Sequence, residues 1–211
     1  MKKVSVVIPM YYEQEVVDVC YKRVKKVLDE LKEKYEHEII FINDGSKDKT
    51  LDILQDIAKV DKNVKIISFS RNFGHQAAVT AGLKYVTGDA IIIIDADLQD
   101  PPELIPDMIE KWEQGYEVIY GKRKKRNGES AFKLLTAKAF YTTLNKLSDV
   151  DIPGDTGDFR LVDKKVVDVI NSLPEHNKFL RGLFSWVGFE QYEYCLLYTS
   201  PSPRDCSYSR M

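Results

Sequence analysis

Apolar positions along the first 120 residues alternate between two spacings. Val4-Ser5-Val6-Val7-Ile8 is a short, mostly apolar run closed by Pro9, the pattern of a buried strand. From Glu15 to Tyr35 the residues Val16, Val19, Cys20, Val24, Val27, Leu28 and Leu31 recur at helical spacing with charges between them. Glu38 to Ile42 predicts a second strand that ends in turn chemistry, Asn43-Asp44-Gly45-Ser46. Ser46 or Asp48 is then placed to cap a helix carrying Leu51, Leu54, Ile57 and Ala58. Val64 to Phe69 predicts a third strand, Gly74 to Val86 a third helix, and Ala90 to Ile94 a fourth strand. Pro101-Pro102 opens a helix through Trp112, because proline fits a first turn, and Tyr116 to Tyr120 completes a fifth strand.

Alternating βα units with apolar strands predict an α/β fold, a mostly parallel sheet covered by helices on both faces. The rhythm breaks after Gly121. A basic stretch leads into an amphipathic pattern from Ser130 to Leu147, then a Pro/Gly/Asp loop from Asp151 to Gly157. A strand, Phe159 to Val162, and a helix near Val166 to Asn171 follow. The last seventeen residues, from Cys195 to Met211, have no period and two closely spaced prolines. They read either as a foreign tail on a truncated frame or as a natural flexible tail, which leaves residues 1–194 as the domain and 195–211 as a disordered appendage.

Composition narrows the class. At 44% hydrophobic and 30% charged over 211 residues, the chain has the make-up of a globular domain with a sizeable core. The longest aliphatic run, Ile91 to Ile94, is far short of the roughly 20 residues of a spanning helix. The start, Met1-Lys2-Lys3-Val4, runs straight into a strand pattern and not into a signal peptide. Three scattered cysteines without CxxC spacing point to a reducing compartment and no metal cluster. The net charge of −2 hides an asymmetry: residues 122–147 carry eight Lys/Arg against Glu129 alone, a block of +7, leaving −9 on the rest. Such a block suggests one anionic partner at one place rather than a nucleic-acid surface; a solvated helix face explains it equally well.

Candidate chemistry gathers at strand ends. In an open parallel α/β sheet, ligands bind where the strands' carboxyl ends meet. Pro9, Tyr11 and Glu13 follow the first strand, Asp44 and Ser46 the second, Arg71 and Asn72 the third, and Asp95, Asp97, Gln99 and Asp100 the fourth. The most specific signal is Asp95-Ala96-Asp97, set between four isoleucines and Pro101-Pro102. Two carboxylates two residues apart on extended chain can face one way and offer oxygen ligands to Mg²⁺ or Mn²⁺ bridging a diphosphate. No Walker or dinucleotide fingerprint is present. Asp44 either accepts hydrogen bonds from a nucleotide or caps its own turn. His75 reads as a residue that caps or packs at its helix start, and no Ser/His/Asp or Cys/His set can be nominated.

These motifs together resemble glycosyltransferase family 2, and within it the polyprenyl-phosphate sugar transferases of the dolichol-phosphate mannosyltransferase and bactoprenol glucosyltransferase group. The resemblance is carried by Val7-Ile8-Pro9-Met10-Tyr11-Tyr12-Glu13, Ile42 through Thr50, Arg71-Asn72-Phe73-Gly74, Asp95 through Glu103, and Gly154-Asp155-Thr156-Gly157-Asp158-Phe159-Arg160-Leu161. It runs from about Lys2 to Tyr194. Tyr12 departs from the Asn usual before the acid, while Glu13 is in place.

The resemblance implies a GT-A fold, Rossmann-like, with inverting transfer from a UDP- or GDP-sugar to an undecaprenyl or dolichyl phosphate. It assigns Pro9, Tyr11, Glu13, Asp44, Ser46, Arg71 and Asn72 to the nucleotide sugar, Asp95 and Asp97 to Mg²⁺ or Mn²⁺, and Gln99 to the sugar side. Arg123, Arg126 and Ser130 match the pattern that contacts the acceptor phosphate. Asp158 falls in the catalytic-aspartate position, with Asp155 as second candidate, and Asp97 is counted among the catalytic residues as well as the metal ligands. It also implies work at the cytoplasmic membrane surface, with the Ser130–Leu147 helix lying on the membrane or else packing as an ordinary core helix. Relatives commonly continue into a basic segment and membrane helices, and homo-oligomers are compatible with the family. A polysaccharide or glycan acceptor is the rival within the family. An inactive nucleotide-binding module is the rival outside it.

Overall fold

The computed structural model describes residues 1–123, 156–175 and 178–196. Within them the chain forms β1 (Lys2–Met10), α1 (Val17–Glu30), β2 (Tyr35–Asn43), α2 (Thr50–Val60), β3 (Val64–Ser68), α3 (His75–Tyr85), β4 (Ala90–Ile93) and α4 (Ile105–Glu113). Then come β5 (Val118–Arg123), β6 (Thr156–Asp163), α5 (Lys164–Ser172), α6 (Leu180–Trp186) and β7 (Gln191–Leu196). The strands make one sheet in the order β3-β2-β1-β4-β6-β5-β7. The first four are mutually parallel and β7 runs parallel to β5, but β6 is antiparallel to both its neighbours.

Alternating side chains of the strands enter two separate cores. Val4, Val6, Ile8, Ile92 and Phe41 pack under α1, α2 and α4 through Val24, Leu28, Leu54, Met108 and Ile109. Val7, Ile40, Ile42, Ile91 and Ile93 pack under α3, α5 and α6 through Val79, Leu83, Val166, Ile170 and Phe184. Each fully buried Val, Ile or Leu contributes on the order of 2 kcal/mol, which is why these strands are apolar on both faces. Cys20 belongs to the first core; burial pushes its thiol up to about 12, so it packs and does not react. Among the described residues no helix is long and apolar enough to cross a membrane.

Several boundaries differ from the sequence pattern, each for a physical reason. The first helix stops at Glu30, and Tyr35 opens β2 beside Lys2, its buried ring exchanging a helical site for a sheet edge and its hydroxyl donating to Glu113. The segment after Pro101-Pro102 is a single 3₁₀ turn, Pro102–Leu104, before α4 begins. Pro106 has no N–H for the carbonyl of Pro102, so one continuous α-helix cannot start there. Asp48 does receive the Thr50 amide at 3.1 Å, as a residue at the mouth of α2 should. Neither α6 nor β7 shows a clear period in the sequence. β7 continues through Leu196, so the first two residues of the segment read as a tail pair with β5. The Ser130–Leu147 helix lies outside the described residues.

At the amino-terminal end of the parallel strands a buried carboxylate ties four segments together. Glu38, 2% exposed, accepts from Ser5 Oγ (2.6 Å), from the Thr87 amide (2.7 Å) and hydroxyl (2.9 Å), and from Lys65 Nζ (2.6 Å). Lys3 Nζ stands 3.2 Å away, and Ser5 Oγ in turn accepts from the Gly88 amide at 2.9 Å. Burial pushes the Glu38 carboxyl up, but these donors outweigh it and hold it at about 2.

Two outcomes follow for stability. A depressed carboxyl stabilises the fold fully above its ordinary value of 4.5 and loses that contribution as pH falls toward about 2. Glu38→Gln is therefore expected to cost about 2 kcal/mol at pH 7, allowing for screening at the exposed Lys65. The gap between variant and wild type should close between pH 4.5 and pH 2 in urea unfolding curves, and a pH-independent gap would refute the assignment. Gly82 lets α3 lie directly on the sheet: a Cβ there would sit 2.5 Å from Val7 Cγ1 and 2.9 Å from Ile42 Cδ1. Gly82→Ala should lower the unfolding free energy by about 1–3 kcal/mol through overpacking, read from the same curves.

Candidate active site

The carboxyl ends of β1, β2 and β4, the loop after β3 and the start of β6 surround one open cleft of about 250 Å³. Its lining includes Pro9, Met10, Tyr11, Glu13, Asp44, Asn72, His75, Ala78, Asp95, Ala96, Asp97 and Asp158. The reversal of β6 explains how Asp158 arrives: Arg160 pairs with Ile93, so the beginning of β6 lies level with the end of β4. A parallel strand would carry the same residue to the opposite end of the sheet.

The Asn43-Asp44-Gly45-Ser46 turn knots three loops. Asn43 Oδ1 accepts from the Ser46 amide (3.2 Å), and its Nδ2 donates to Ser68 Oγ (3.0 Å). Asp44, 3% exposed, accepts from the amides of Phe73 (2.7 Å) and Gly74 (2.9 Å). Its carboxylate thus secures the loop after β3 and does not cap its own turn; the Ser46 amide goes to Asn43 instead. Gly45 has φ +68°, and a Cβ there would lie 2.3 Å from the Arg71 carbonyl carbon, so only glycine permits this approach. Ser46 Oγ accepts from the Tyr12 amide at 3.1 Å. Tyr12 and Leu98 both have φ 55°, a left-handed conformation strained for bulky residues, and both sit in loops of the site.

The acidic run behaves as two halves. Asp95 Oδ1 accepts from His75 Nε2 at 2.9 Å, while Asp97 Oδ1 accepts from the Gln99 amide at 3.0 Å, bridging the strained Leu98. His75 Nδ1 is 3.9 Å from Asp158 Oδ2. Asp158 accepts two bonds from Arg181, from Nε to Oδ1 at 2.8 Å and from NH2 to Oδ2 at 2.6 Å. The hydrogen bond to Asp95 lifts the His75 imidazole above its usual value, against burial. For Asp158, burial pushes the carboxyl up but the Arg181 guanidinium prevails and holds it below the usual range. Beneath them Arg160, 4% exposed, donates to the Gly157 carbonyl at 3.1 Å and stands 4.7 Å from the Phe184 ring. Burial pulls its guanidinium down to about 10. His75, Asp95 and Asp158 offer three ligand atoms within 4.8 Å of one another, a donor set able to hold a cation.

Of the residues nominated from sequence, Pro9, Tyr11, Glu13, Asp44, Asn72, Asp95, Asp97 and Asp158 share this cleft. Ser46, Arg71 and Gln99 are not among its lining: Ser46 supports Tyr12, Arg71 lies 4.4 Å over the Phe73 ring, and Gln99 is exposed. Arg126, Ser130, Asp155 and the Arg123 side chain lie outside the described residues. Sequence reasoning missed two groups. His75 was expected only to cap or pack, yet its ring faces two cleft carboxylates; its place at a helix start behind a strand-end loop was the available signal. Arg181 gave none, being 23 residues beyond its partner on a helix without a readable period.

Residues 5–170 match the family model described as glycosyl transferase family 2. An uncharacterized glycosyltransferase, YkcC, of Bacillus subtilis (strain 168) is 57% identical over 89% of the chain and 57% of its own length. The prophage bactoprenol glucosyl transferase homolog of Escherichia coli (strain K12) and the bactoprenol glucosyl transferase of Shigella phage SfX are each 48% identical over 88% of the chain and 60% of their own. The chain therefore spans less than two thirds of the length of these relatives. Among solved structures, glucosyl-3-phosphoglycerate synthase from Mycobacterium tuberculosis, in complex with Mn²⁺, UDP-glucose and phosphoglyceric acid, superposes with a TM-score of 0.62. The match covers 98% of this chain and 75% of that one at 16% identity, and it identifies the architecture as the GT-A fold. The sheet order, the convergence of the nominated residues and these identities have one common reading: the chain belongs to glycosyl transferase family 2.

Proposed function

We propose that this domain catalyses inverting transfer of a sugar from a nucleoside-diphosphate sugar to a polyprenyl phosphate, undecaprenyl or dolichyl, at the cytoplasmic membrane surface. The observation that carries the reading is the convergence of eight residues nominated from the sequence on one strand-end cleft. The acceptor class is supported by the 48% identity to proteins named bactoprenol glucosyl transferases.

The reaction asks for three things. An oxygen of the acceptor phosphate attacks the anomeric carbon in line; the bond from that carbon to the diphosphate breaks, and its electron pair leaves with the nucleoside diphosphate. On this reading Tyr11, Glu13, Asp44 and Asn72 would bind and orient the nucleotide. A phosphate monoester with a second pKa near 6 is mostly ionised at pH 7, so the nucleophile needs little help from a base. Asp158, gripped by a guanidinium, suits orienting the acceptor more than removing a proton. The second candidate, Asp155, stays a proposal resting on sequence alone.

The residues present fit a divalent ion. Asp95 and Asp97 both line the cleft, and His75, Asp95 and Asp158 supply a mixed oxygen and nitrogen set, compatible with Mg²⁺ or Mn²⁺. When bound, such an ion would neutralise charge developing on the departing diphosphate. The acceptor phosphate would be held by Arg123, Arg126 and Ser130, since arginine's planar fork binds phosphate oxygens two at a time.

Two measurements test the reading. A thermal-shift series with UDP- and GDP-sugars and Mn²⁺ should raise the apparent stability for one nucleotide, by about 2.7 kcal/mol at a hundredfold excess over Kd. Silence with every nucleotide sugar would sink it. Arg123→Ala or Arg126→Ala should lower turnover on short-chain polyprenyl phosphates by about 100-fold or more while sparing donor binding. Undiminished turnover would transfer the proposal to a polysaccharide or glycan acceptor.

A further inference from the structure

We propose that Arg181 is a positioning residue: a guanidinium clamp, delivered by α6, that keeps the Asp158 carboxylate aimed into the cleft beside His75 and Asp95. The inference deepens the transferase reading and rests on it. Nε and NH2 each meet one carboxylate oxygen, a fork-to-fork pairing that fixes the plane of the carboxylate as well as its position. A single contact would leave that plane free to turn.

The element that carries the clamp is braced against both ends of the site. Leu180 and Phe184 anchor α6 in the second core. The Leu180 amide donates to Gln76 Oε1 at 3.2 Å, tying α6 to the helix that presents His75. The Phe184 ring underlies Arg160, two residues along β6 from Asp158, and the Phe184 carbonyl accepts from Gln191 Nε2 at 3.3 Å. One short helix thus indexes α3, β6 and β7 to each other, and Arg181 is its only side chain known to grip a cleft carboxylate among the described residues.

Stability alone is a poor reason for this pairing. Arg181 is 31% exposed at its side chain and α6 already has apolar anchors, so losing the guanidinium leaves the helix packed. What changes is Asp158. His75 Nδ1 stands 3.9 Å from its Oδ2, and a protonated ring would draw an unclamped carboxylate away from its present aim. That displacement is small, but misplacement by about 1 Å costs on the order of 100-fold in a reaction that depends on alignment.

The test uses the full-length protein as wild type, Arg181→Ala, Arg181→Lys, Asp158→Asn and the Arg181→Ala/Asp158→Asn double variant. Arg181→Ala is expected to lower kcat about 100-fold with the Kd for the nucleotide changed less than about threefold, and Arg181→Lys to fall between. Adding Arg181→Ala to Asp158→Asn should cost nothing further, because the clamp would have no carboxylate to hold. An equal loss in both backgrounds, loss of nucleotide affinity in step with kcat, or a wild-type kcat in Arg181→Ala would each overturn the proposal. The imidazole ¹⁵N resonances of His75 give a readout independent of turnover. Arg181→Ala should move them in the wild-type background and not in Asp158→Asn; unmoved resonances refute the clamp. A wild-type protein without turnover would refute the transferase reading, and the resonances would still decide the clamp.

Discussion

A sheet covered on both faces leaves a charged side chain only its two ends, and this constraint organises the whole domain. The parallel strands are apolar on both sides because helices cover both, so a carboxylate in mid-strand would face a large desolvation cost. Both ends hold acids, under opposite arrangements. At the amino-terminal end Glu38 is sealed at 2% exposure and saturated by hydroxyl, amide and ammonium donors from three other segments. At the carboxyl-terminal end Asp95 and Asp158 remain partly exposed, and their partners, His75 and Arg181, are side chains that can be displaced. The first arrangement stabilises; the second leaves ligand positions within reach.

The reversed strand β6 is the next dependency. It places a carboxylate at its own beginning next to one at the end of β4, which no succession of parallel βα units would do. Once β6 is reversed, α5 and α6 return across the second core, and α6 comes to lie between α3 and β6. The site is therefore assembled from strand ends on one side and from helix starts, His75 and Arg181, on the other. Loops alone would not hold such groups: the Asp44 bonds to two successive amides show how much backbone fixing even one loop requires.

Features encoded locally were legible in the sequence. The first four strands and three helices follow from the spacing of Val4 to Ile8, Val16 to Leu31 and Ile91 to Ile94, since burial on fixed faces imposes a period. The Asp-Ala-Asp run and the strand-end residues were found because topology alone sends strand ends to one crevice. What escaped was set by contacts between distant segments. Tyr35 looked helical until β1 offered it a partner strand. The role of Asp44 depended on amides 29 and 30 residues away, and that of His75 on a carboxylate 20 residues away. Arg181 sits on a seven-residue helix, too short for any period to declare. Hydrophobic pattern records which face of an element is buried, and carries no record of which polar atom meets which.

The charge balance of the cleft bears on the proposed chemistry. Five carboxylates, Glu13, Asp44, Asp95, Asp97 and Asp158, line it, against one imidazole among the lining residues. Asp44 is committed to backbone amides and Asp158 to a guanidinium, so part of that charge is answered within the protein. A nucleoside diphosphate would nonetheless bring further negative charge toward an acidic wall, where repulsion is stronger than in water because the surroundings are partly desolvated. A donor of this kind can enter favourably only with compensating positive charge, and the carboxylates of Asp95 and Asp97 are groups to which a divalent ion would bind. The basic block of residues 122–147 has the complementary task on this reading: it answers the charge of an acceptor phosphate, which no carboxylate-bound ion shared with the donor need reach. Two anions of different kinds would then be neutralised by two different means, and that separation lets one cleft bring them together without either displacing the other.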